Sequence, residues 1–346
     1  MKRPSLSRQT NFECEAEVTP GLEFVSEIEL RELGAAVQAV HPGEIEFGFA
    51  RDLRLLLRLK TVQSVSLVEH FAIPRPRALL GNVELPRLLR QIERVRTLWP
   101  QEVFQTFYIA AAGSDSSIMQ RIKSSITNST GLTTGDEKGD LAIRIRPSRV
   151  GGWETVVRLS PRPLVTRSWR VCNLEGALNA ATAHAMIRLT QPQPDDIFLN
   201  LGCGSGTLLV ERLTYGRCQC TLGFDNVIQH LVCARTNIVA SGFQAIQLQL
   251  GDMARLPLRA AAVTALAADL PFGQLSGSHS ENQRLYPPML TEAARVAAPG
   301  ARFALITHEV RMMDELLSHS HDWSIEQTIR VNLRGLHPRI YILRRL

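Results

Sequence analysis

Short apolar segments alternate with helical segments over the last half of the chain, and this alternation most constrains its fold. The segments DIFLNL, CTLGFD, AIQLQL, VTALAAD and RFALIT predict buried strands, and LLVERL and HLVCARTNIVASG between them predict helices. Such an order indicates an α/β fold with a doubly wound, mostly parallel sheet, in which ligands bind beyond the carboxyl ends of the strands. We therefore expect the functional residues directly after the strands.

A glycine-rich turn follows the first of these strands and precedes a helix. Its three glycines let the backbone turn tightly and approach a ligand, and the N–H groups at the start of the helix face an anion. The order G-x-G-x-G differs from the G-x-G-x-x-G of dinucleotide sites, and no P-loop lysine follows it. The residues predicted to bind a cofactor here are Asn200, Gly202, Cys203, Gly204, Ser205, Gly206 and Thr207.

Carboxylates follow the next two strands. Asp225 can accept hydrogen bonds from both ribose hydroxyls of a nucleoside, and Asp252 can accept one from the exocyclic amine of adenine. Their neighbours Asn226 and Met253 complete the predicted set. Together with the glycine turn, which would lie against a methionine moiety, these positions suit S-adenosylmethionine.

The fourth strand ends in Asp-Leu-Pro-Phe. The Asp269 carboxylate and the Leu270 carbonyl can each accept one N–H of an exocyclic base amine and direct its lone pair toward an electrophile. Pro271 stiffens the turn, and Phe272 can stack on the base. Asp269 can also accept the proton released after transfer, as a general base. These four residues are predicted to be catalytic.

Residues 141–174 contain seven arginines and a single acid. Arginine pairs with phosphate through two hydrogen bonds and stacks on bases, so this stretch predicts contact with nucleic acid. A solvated hairpin face is the alternative. The residues predicted to bind RNA are Arg144, Arg146, Arg149, Arg162, Arg167 and Arg170.

The amino-acid composition narrows the kinds of protein that this chain can be. The net charge of +6 fits a polyanionic partner but decides little by itself. The six cysteines include no C-x-x-C, which argues against a disulfide framework or a zinc cluster and favours a reducing compartment. The sequence contains no apolar run of about 18 residues for a membrane helix and no apolar signal-peptide core at its start. We expect a cytoplasmic protein without a metal or membrane partner.

Asp-Leu-Pro-Phe resembles the (Asp/Asn)-Pro-Pro-(Tyr/Phe) motif of amino methyltransferases. The leucine in it, the stretch LYPPMLTEAARVAAPGARFALITHE, and PLVTRSWR followed by GALNAATAHAMIRLT are similar to THUMP-domain tRNA guanine-N2 methyltransferases. The resemblance covers roughly residues 10–346. It implies a ferredoxin-like domain at 1–65, a THUMP RNA-binding domain at 66–165 and a Rossmann-type methyltransferase domain at 166–346.

The same resemblance implies an S-adenosylmethionine-dependent enzyme, a monomer, that forms N2-methylguanosine in tRNA. Its THUMP domain would hold the acceptor end, and position 6 of the acceptor stem would be the target. The alternatives are methylation of guanine in ribosomal RNA, of an adenine amine, or of DNA. A noncatalytic RNA-binding protein is a further alternative, because Asn200 stands where relatives often have Asp and Gln274 where many have a basic residue.

Overall fold

The structure is a computed structural model that describes residues 11–135, 139–244, 246–271, 279–333 and 335–346. The chain divides into two compact units. The first contains the chain up to Val18 together with Ser26–Leu164, and the second contains Thr19–Val25 together with Val165–Leu346. Each unit has its own sheet.

The elements of the first half of the chain are mostly strands. They are β1 (Phe12–Val18), α1 (Glu23–Glu32), β2 (Ala36–His41), β3 (Glu44–Phe49), β4 (Val62–Phe71), α2 (Glu84–Arg96), β5 (Thr106–Ala110), α3 (Ser117–Thr130), β6 (Thr133–Thr134), β7 (Leu141–Pro147) and β8 (Trp153–Arg158). The strands form one sheet in the order β2-β3-β1-β4-β8-β7-β5-β6. Buried Leu88, Ile92 and Val95 share one face of α2, as the helical period requires.

The first unit contains the predicted arginine-rich hairpin, which β7 and β8 form as an antiparallel pair. The boundary expected between residues 65 and 66 lies inside β4, and β4 pairs with β1 on one side and with β8 on the other. Strands from both predicted small domains therefore belong to one sheet. The assignment of a ferredoxin-like and a THUMP domain within this unit stays a prediction.

The second unit alternates strands and helices. Its elements are α4 (Ala180–Leu189), β9 (Ile197–Leu201), α5 (Thr207–Tyr215), β10 (Cys220–Asp225), α6 (Ile228–Ser241), β11 (Ile246–Leu250), β12 (Val263–Asp269), α7 (His279–Val296), β13 (Ala297–Thr307), α8 (Val310–Ser318), β14 (Trp323–Arg330) and β15 (Arg339–Arg345). The strand order is β11-β10-β9-β12-β13-β15-β14. The first five strands are parallel, β15 is antiparallel to β13, and β14 is antiparallel to β15. This mostly parallel sheet confirms the predicted Rossmann-type architecture.

The strand order reverses between β9 and β12, since the chain leaves β9 toward β10 and β11 and then returns to β12 on the other side. Both strands are buried, with Phe198 and Leu199 in β9 and Leu266 and Ala267 in β12 fully covered. Loops that leave such a switch point in opposite directions enclose a crevice for a ligand. The turns after β9 and β12 are two of the four strand ends that the sequence marks as functional.

A disulfide links Cys172 to Cys233 on α6, with 5.5 Å between their Cα atoms. The sequence argues against a disulfide framework and did not predict this single pair. The pair is 61 residues apart in sequence, so no local spacing could show it. Asn237, also on α6, fixes the same segment, because its Oδ1 accepts hydrogen bonds from the N–H groups of Val171 and Cys172.

Candidate functional site

A cavity of about 740 Å³ lies in the second unit beyond the carboxyl ends of β9, β10 and β12. Its wall contains most of the predicted cofactor residues, namely Asn200, Gly202, Cys203, Gly204, Ser205, Thr207, Asp225, Asn226 and Met253. It also contains Asp269, Leu270 and Pro271. Gly206 and Asp252 belong to the same turns but are not part of the wall. Phe272 and Gln274 lie outside the described residues.

The glycine turn has the backbone conformation that its glycines permit. Gly202, Gly204 and Gly206 have φ angles of 60°, 52° and 80°, in the left-handed region. A Cβ atom on Gly204 would extend into open space, whereas one on Gly206 would come within 3.2 Å of the Ala234 side chain on α6. The Cys203 N–H donates to the carbonyl of Phe224 at 2.8 Å, which fixes the turn against β10.

The carboxylate of Asp225 at the end of β10 is oriented by protein donors. Its Oδ2 accepts from the Gly204 N–H at 2.8 Å, and its Oδ1 accepts from the Val227 N–H at 3.0 Å. The Nδ1 of His230 lies 3.0 Å from Oδ1. His230 lines the cavity beside Asp225. Because a carboxylate offers about four acceptor sites, Asp225 keeps acceptor capacity for a ligand hydroxyl.

Asn200 in the cavity wall has a side-chain oxygen that is available to accept a hydrogen bond from a ligand. Its side chain is 1% exposed, and its Nδ2 donates to the carbonyl of Ala267 at 3.0 Å. Its Oδ1 is buried without a hydrogen-bond partner in the described part of the chain. An unsatisfied buried oxygen costs about 1–3 kcal/mol, so a donor on a ligand would be stabilised here. The ammonium group of an amino-acid moiety is such a donor.

The turn after β11 completes this wall. Asp252 accepts a hydrogen bond from the Ala254 N–H at 2.9 Å, which holds the turn in shape. The Met253 methyl group lies so close to Gly202 that a Cβ there would be 2.8 Å from it. Met253 therefore provides an apolar surface directly beside the glycine turn.

Asp269 occupies the end of β12 in the same cavity. Burial raises the pKa of its carboxyl to about 7, although a hydrogen bond from the Leu178 N–H and the charge of Arg170 oppose the shift. A carboxyl with a pKa near the working pH is suited to accept a proton. The next residue is held by the sheet, because the Leu270 N–H donates to the carbonyl of Ile306 at 3.1 Å.

Two side chains from α7 fix the turn after Leu270. The carbonyl of Pro271 accepts hydrogen bonds from Asn282 Nδ2 at 3.1 Å and from the Tyr286 hydroxyl at 2.9 Å. The same hydroxyl lies 2.8 Å from Thr307 Oγ1 at the end of β13. Sequence reasoning missed these three residues. For two of them the sequence contains an indication, because Asn282 and Tyr286 are four residues apart and therefore lie on one face of a helix.

Three arginines predicted to bind RNA are paired with carboxylates within the first unit. Arg144 contacts two glutamates, Arg146 contacts three, and Arg149 contacts two. These partners are Glu15, Glu17, Glu44, Glu46 and Glu154. Five carboxylates outnumber three guanidinium groups, so the hairpin is not the positively charged track that its sequence indicates. RNA contact by these three residues and by exposed Arg162 stays a prediction.

The side chain of Arg167, which the sequence predicts to bind RNA, is buried in the second unit. Its Nε donates to Glu211 Oε1 on α5 at 2.8 Å, and His184 Nδ1 lies 2.8 Å from Glu211 Oε2. Burial disfavours the charged form of Glu211, but the hydrogen bond from His184 and the charge of Arg167 hold its pKa below the usual range. Arg170 is half-buried, and its guanidinium group donates a hydrogen bond to the carbonyl of Leu178 in the cavity wall.

Among the described residues, no group of three or more His, Cys, Asp or Glu side chains is arranged to hold a metal ion. None of the helices in those ranges combines the length and the apolar character needed to cross a membrane.

Comparison with known proteins identifies relatives of this chain. A "tRNA (guanine(6)-N(2))-methyltransferase THUMP3" from Bos taurus is 34% identical over 184 residues, which is 49% of this chain and 36% of that protein. A "tRNA (guanine(6)-N2)-methyltransferase" from Methanocaldococcus jannaschii is 21% identical over 388 residues, covering 94% of this chain and 98% of the other. The chain thus spans about a third of the length of the mammalian relatives that it matches.

Among solved structures, TrmN from Thermus thermophilus superposes with a TM-score of 0.76 over 97% of this chain and 100% of that one. The two are 23% identical, so the likeness shows the shared fold. Residues 167–339, half of the 346-residue chain, match the family described as UPF0020, RMKL-like, methyltransferase domain. The match includes the glycine turn and Asp269, and it confirms the methyltransferase resemblance seen in the sequence. The chain therefore belongs to the UPF0020 family of RMKL-like methyltransferase domains.

Proposed function

We propose that this protein transfers a methyl group from S-adenosylmethionine to the N2 amine of a guanine in tRNA. The observation that carries this proposal is that Asp269, with a pKa of about 7, opens into the same cavity as the glycine turn and Asp225. A methyl donor and an amine acceptor would meet in that cavity. Family membership supports methyl transfer, and the names of the relatives support guanine in tRNA.

The cavity fits the cofactor in three places. Asp225 in the cavity wall would accept the ribose hydroxyls, and Asp252, which lies outside the wall on the turn after β11, would accept the adenine amine. The glycine turn would lie against the methionine moiety, whose ammonium group would satisfy the unpartnered Oδ1 of Asn200. The bound cofactor would supply an electrophilic methyl group. Asn200, which stands where relatives more often have Asp, thus still offers a hydrogen-bond acceptor to the cofactor but no negative charge.

The residues at the end of β12 would orient the amine and take up its proton. The Asp269 carboxylate and the Leu270 carbonyl would each accept one N–H, which directs the nitrogen lone pair into the cavity. After the N–CH3 bond has formed, the nitrogen releases one proton to Asp269, whose raised pKa suits it to this task. Phe272 would stack on the guanine, which must leave its helical stem at a cost of a few kcal/mol.

The substrate position is proposed from the relatives. Both named relatives carry "guanine(6)" in their names, so we propose position 6 of the acceptor stem as the target. The first unit, as a ferredoxin-like and THUMP pair, would bind the acceptor end of the tRNA. We further propose that the protein acts as a monomer in the cytoplasm, where tRNA is processed.

Methyl transfer to an unmodified tRNA transcript tests the proposal. Labelled S-adenosylmethionine is incubated with the transcript and with a variant carrying adenosine at position 6, and the product nucleosides are analysed. We expect N2-methylguanosine from the first transcript only, and none with Asp269→Ala. Asp115→Asn, an exposed acid of the first unit, is the matched control and should retain activity.

Other outcomes would overturn the proposal in distinct ways. If the labelled methyl group appears in ribosomal RNA but not in tRNA, the substrate is ribosomal RNA and the tRNA assignment is refuted. Cofactor binding without labelling of any RNA would refute guanine methylation. Absence of cofactor binding in calorimetry would favour the noncatalytic RNA-binding alternative.

A further inference from the structure

Arg170 joins two walls of the cavity. Its Nη2 donates to the carbonyl of Leu178 at 2.7 Å and to the hydroxyl of Thr207, the first residue of α5. The N–H of Leu178 in turn donates to the Asp269 carboxyl. One guanidinium group therefore contacts both the end of the glycine turn and the residue that holds Asp269.

The environment of Arg170 is unusual for an arginine with a surface role. Burial lowers its pKa, and its Nε is buried without a hydrogen-bond partner among the described residues. Its guanidinium lies 5.6 Å from the ring centroid of Trp169. The charged groups that face it are Glu211, Arg167 and Asp269. Two anions favour the charged form of Arg170, namely Glu211, which also pairs with Arg167, and the Asp269 carboxylate.

Among the described residues, few charged groups counteract the effect of Arg170 on the pKa of Asp269. From the segment before α4, Arg170 provides the positive charge that acts on the carboxyl. From α7, the hydroxyl of Tyr286 interacts electrostatically with Asp269, and burial raises the pKa of that hydroxyl, so it is neutral at working pH. Glu281 also lines the cavity. Arg170 is thus the cation that opposes the burial-driven rise in the pKa of Asp269.

We propose that Arg170 is a positioning residue of the methyl-transfer site, which orients Leu178 toward Asp269 and supplies a positive charge that favours the carboxylate form of Asp269. This inference rests on the function proposed above and replaces the RNA contact that the sequence suggested for Arg170. An arginine suits the task because its planar guanidinium donates in fixed directions to two acceptors and stays charged. A lysine would retain the charge but not the two-directional geometry.

The pH dependence of activity distinguishes this role from a merely structural one. Loss of the positive charge raises the pKa of Asp269 further, so its carboxylate forms only at higher pH. We expect Arg170→Gln to move the acid limb of the kcat profile upward by about one pH unit, since one nearby charge shifts a pKa by about that much. Activity should then be about tenfold lower than wild type at pH 6.5 and recover toward pH 9.

Two further variants complete the kinetic test. Arg170→Lys should return most of the acid limb to its original position, because it restores the charge. Arg235→Gln removes an exposed arginine on α6 and should leave the profile unchanged. Equal loss of activity at every pH with Arg170→Gln would overturn the proposal.

A second measurement does not depend on methyl transfer. Urea unfolding between pH 5 and pH 9 is compared for wild type, Arg170→Gln, Asp269→Asn and the double variant. In wild type the free energy of unfolding falls as the pH rises, and in Arg170→Gln we expect this fall to continue to a pH about one unit higher. In the Asp269→Asn background, the change at Arg170 should no longer alter the pH dependence. If wild type lacks activity but this coupling is found, the proposed function fails and the pairing stands. If the two changes are additive at every pH, the pairing is refuted.

Discussion

The buried carboxyl of Asp269 should lower the stability of the folded protein at neutral pH, and Asp269→Asn should remove that loss. Burial raises its pKa from an ordinary value of 3.8 to about 7. Between these values the unfolded chain has released the proton while the folded chain still binds it. Stability therefore falls as the pH rises from about 4 to about 7 and changes no further above that.

The magnitude follows from the difference between the two pKa values. One pH unit corresponds to about 1.4 kcal/mol, so a difference of about three units corresponds to about 4 kcal/mol as an upper limit. The side chain is partly exposed, which reduces this figure through solvent screening. We expect Asp269→Asn to raise the free energy of unfolding by about 2–4 kcal/mol at pH 8 and by less than about 0.5 kcal/mol at pH 4. Asparagine keeps an oxygen for the Leu178 N–H.

Urea unfolding at pH 4, 6 and 8 measures this effect, with Asp115→Asn as the control for loss of an acid at an exposed position. The same Asp269→Asn protein should lose at least about 100-fold in methyl transfer, because it lacks a general base. A variant that is no more stable than wild type at pH 8 would refute the reasoning, since the native carboxyl would then not be destabilised by burial.

Three other substitutions test the parts of the site separately. Tyr286→Phe removes a hydrogen bond to the Pro271 carbonyl and should lower kcat about tenfold without changing the Kd of the cofactor in calorimetry. Arg167→Met leaves Glu211 buried without its cation and should lower the free energy of unfolding by about 3–5 kcal/mol in urea titrations. Asp225→Ala should raise the cofactor Kd about 10- to 100-fold in the same calorimetry, because hydrogen bonds to a charged acceptor are lost.

Each of these expectations has an outcome that contradicts it. A changed cofactor Kd in Tyr286→Phe would show that the turn after Asp269 also shapes the cofactor site. Unaltered stability of Arg167→Met would mean that His184 alone compensates Glu211. An unchanged Kd in Asp225→Ala would remove this carboxylate from the cofactor site.

The features that the sequence determines by itself are local ones. The alternation of strands and helices, the glycine turn and the acids at the ends of β10 and β12 were predictable because hydrophobic period and turn chemistry depend on adjacent residues. Since parallel strands end at the same edge of a sheet, the convergence of Asp225 and Asp269 on one cavity also followed. The sequence therefore suffices for the fold class and for the strand ends that line the cavity, but not for Asn282, Tyr286 and Thr307.

The partners of individual side chains were decided only by the tertiary structure. Arg167 and Glu211 are 44 residues apart, and Arg146 and Glu15 are 131 apart, so a run of arginines in the sequence did not reveal that its charges are compensated. The pKa of Asp269 likewise depends on how much water the surrounding residues exclude from its carboxyl. Ion pairing and desolvation act through space, and chain proximity carries no information about either.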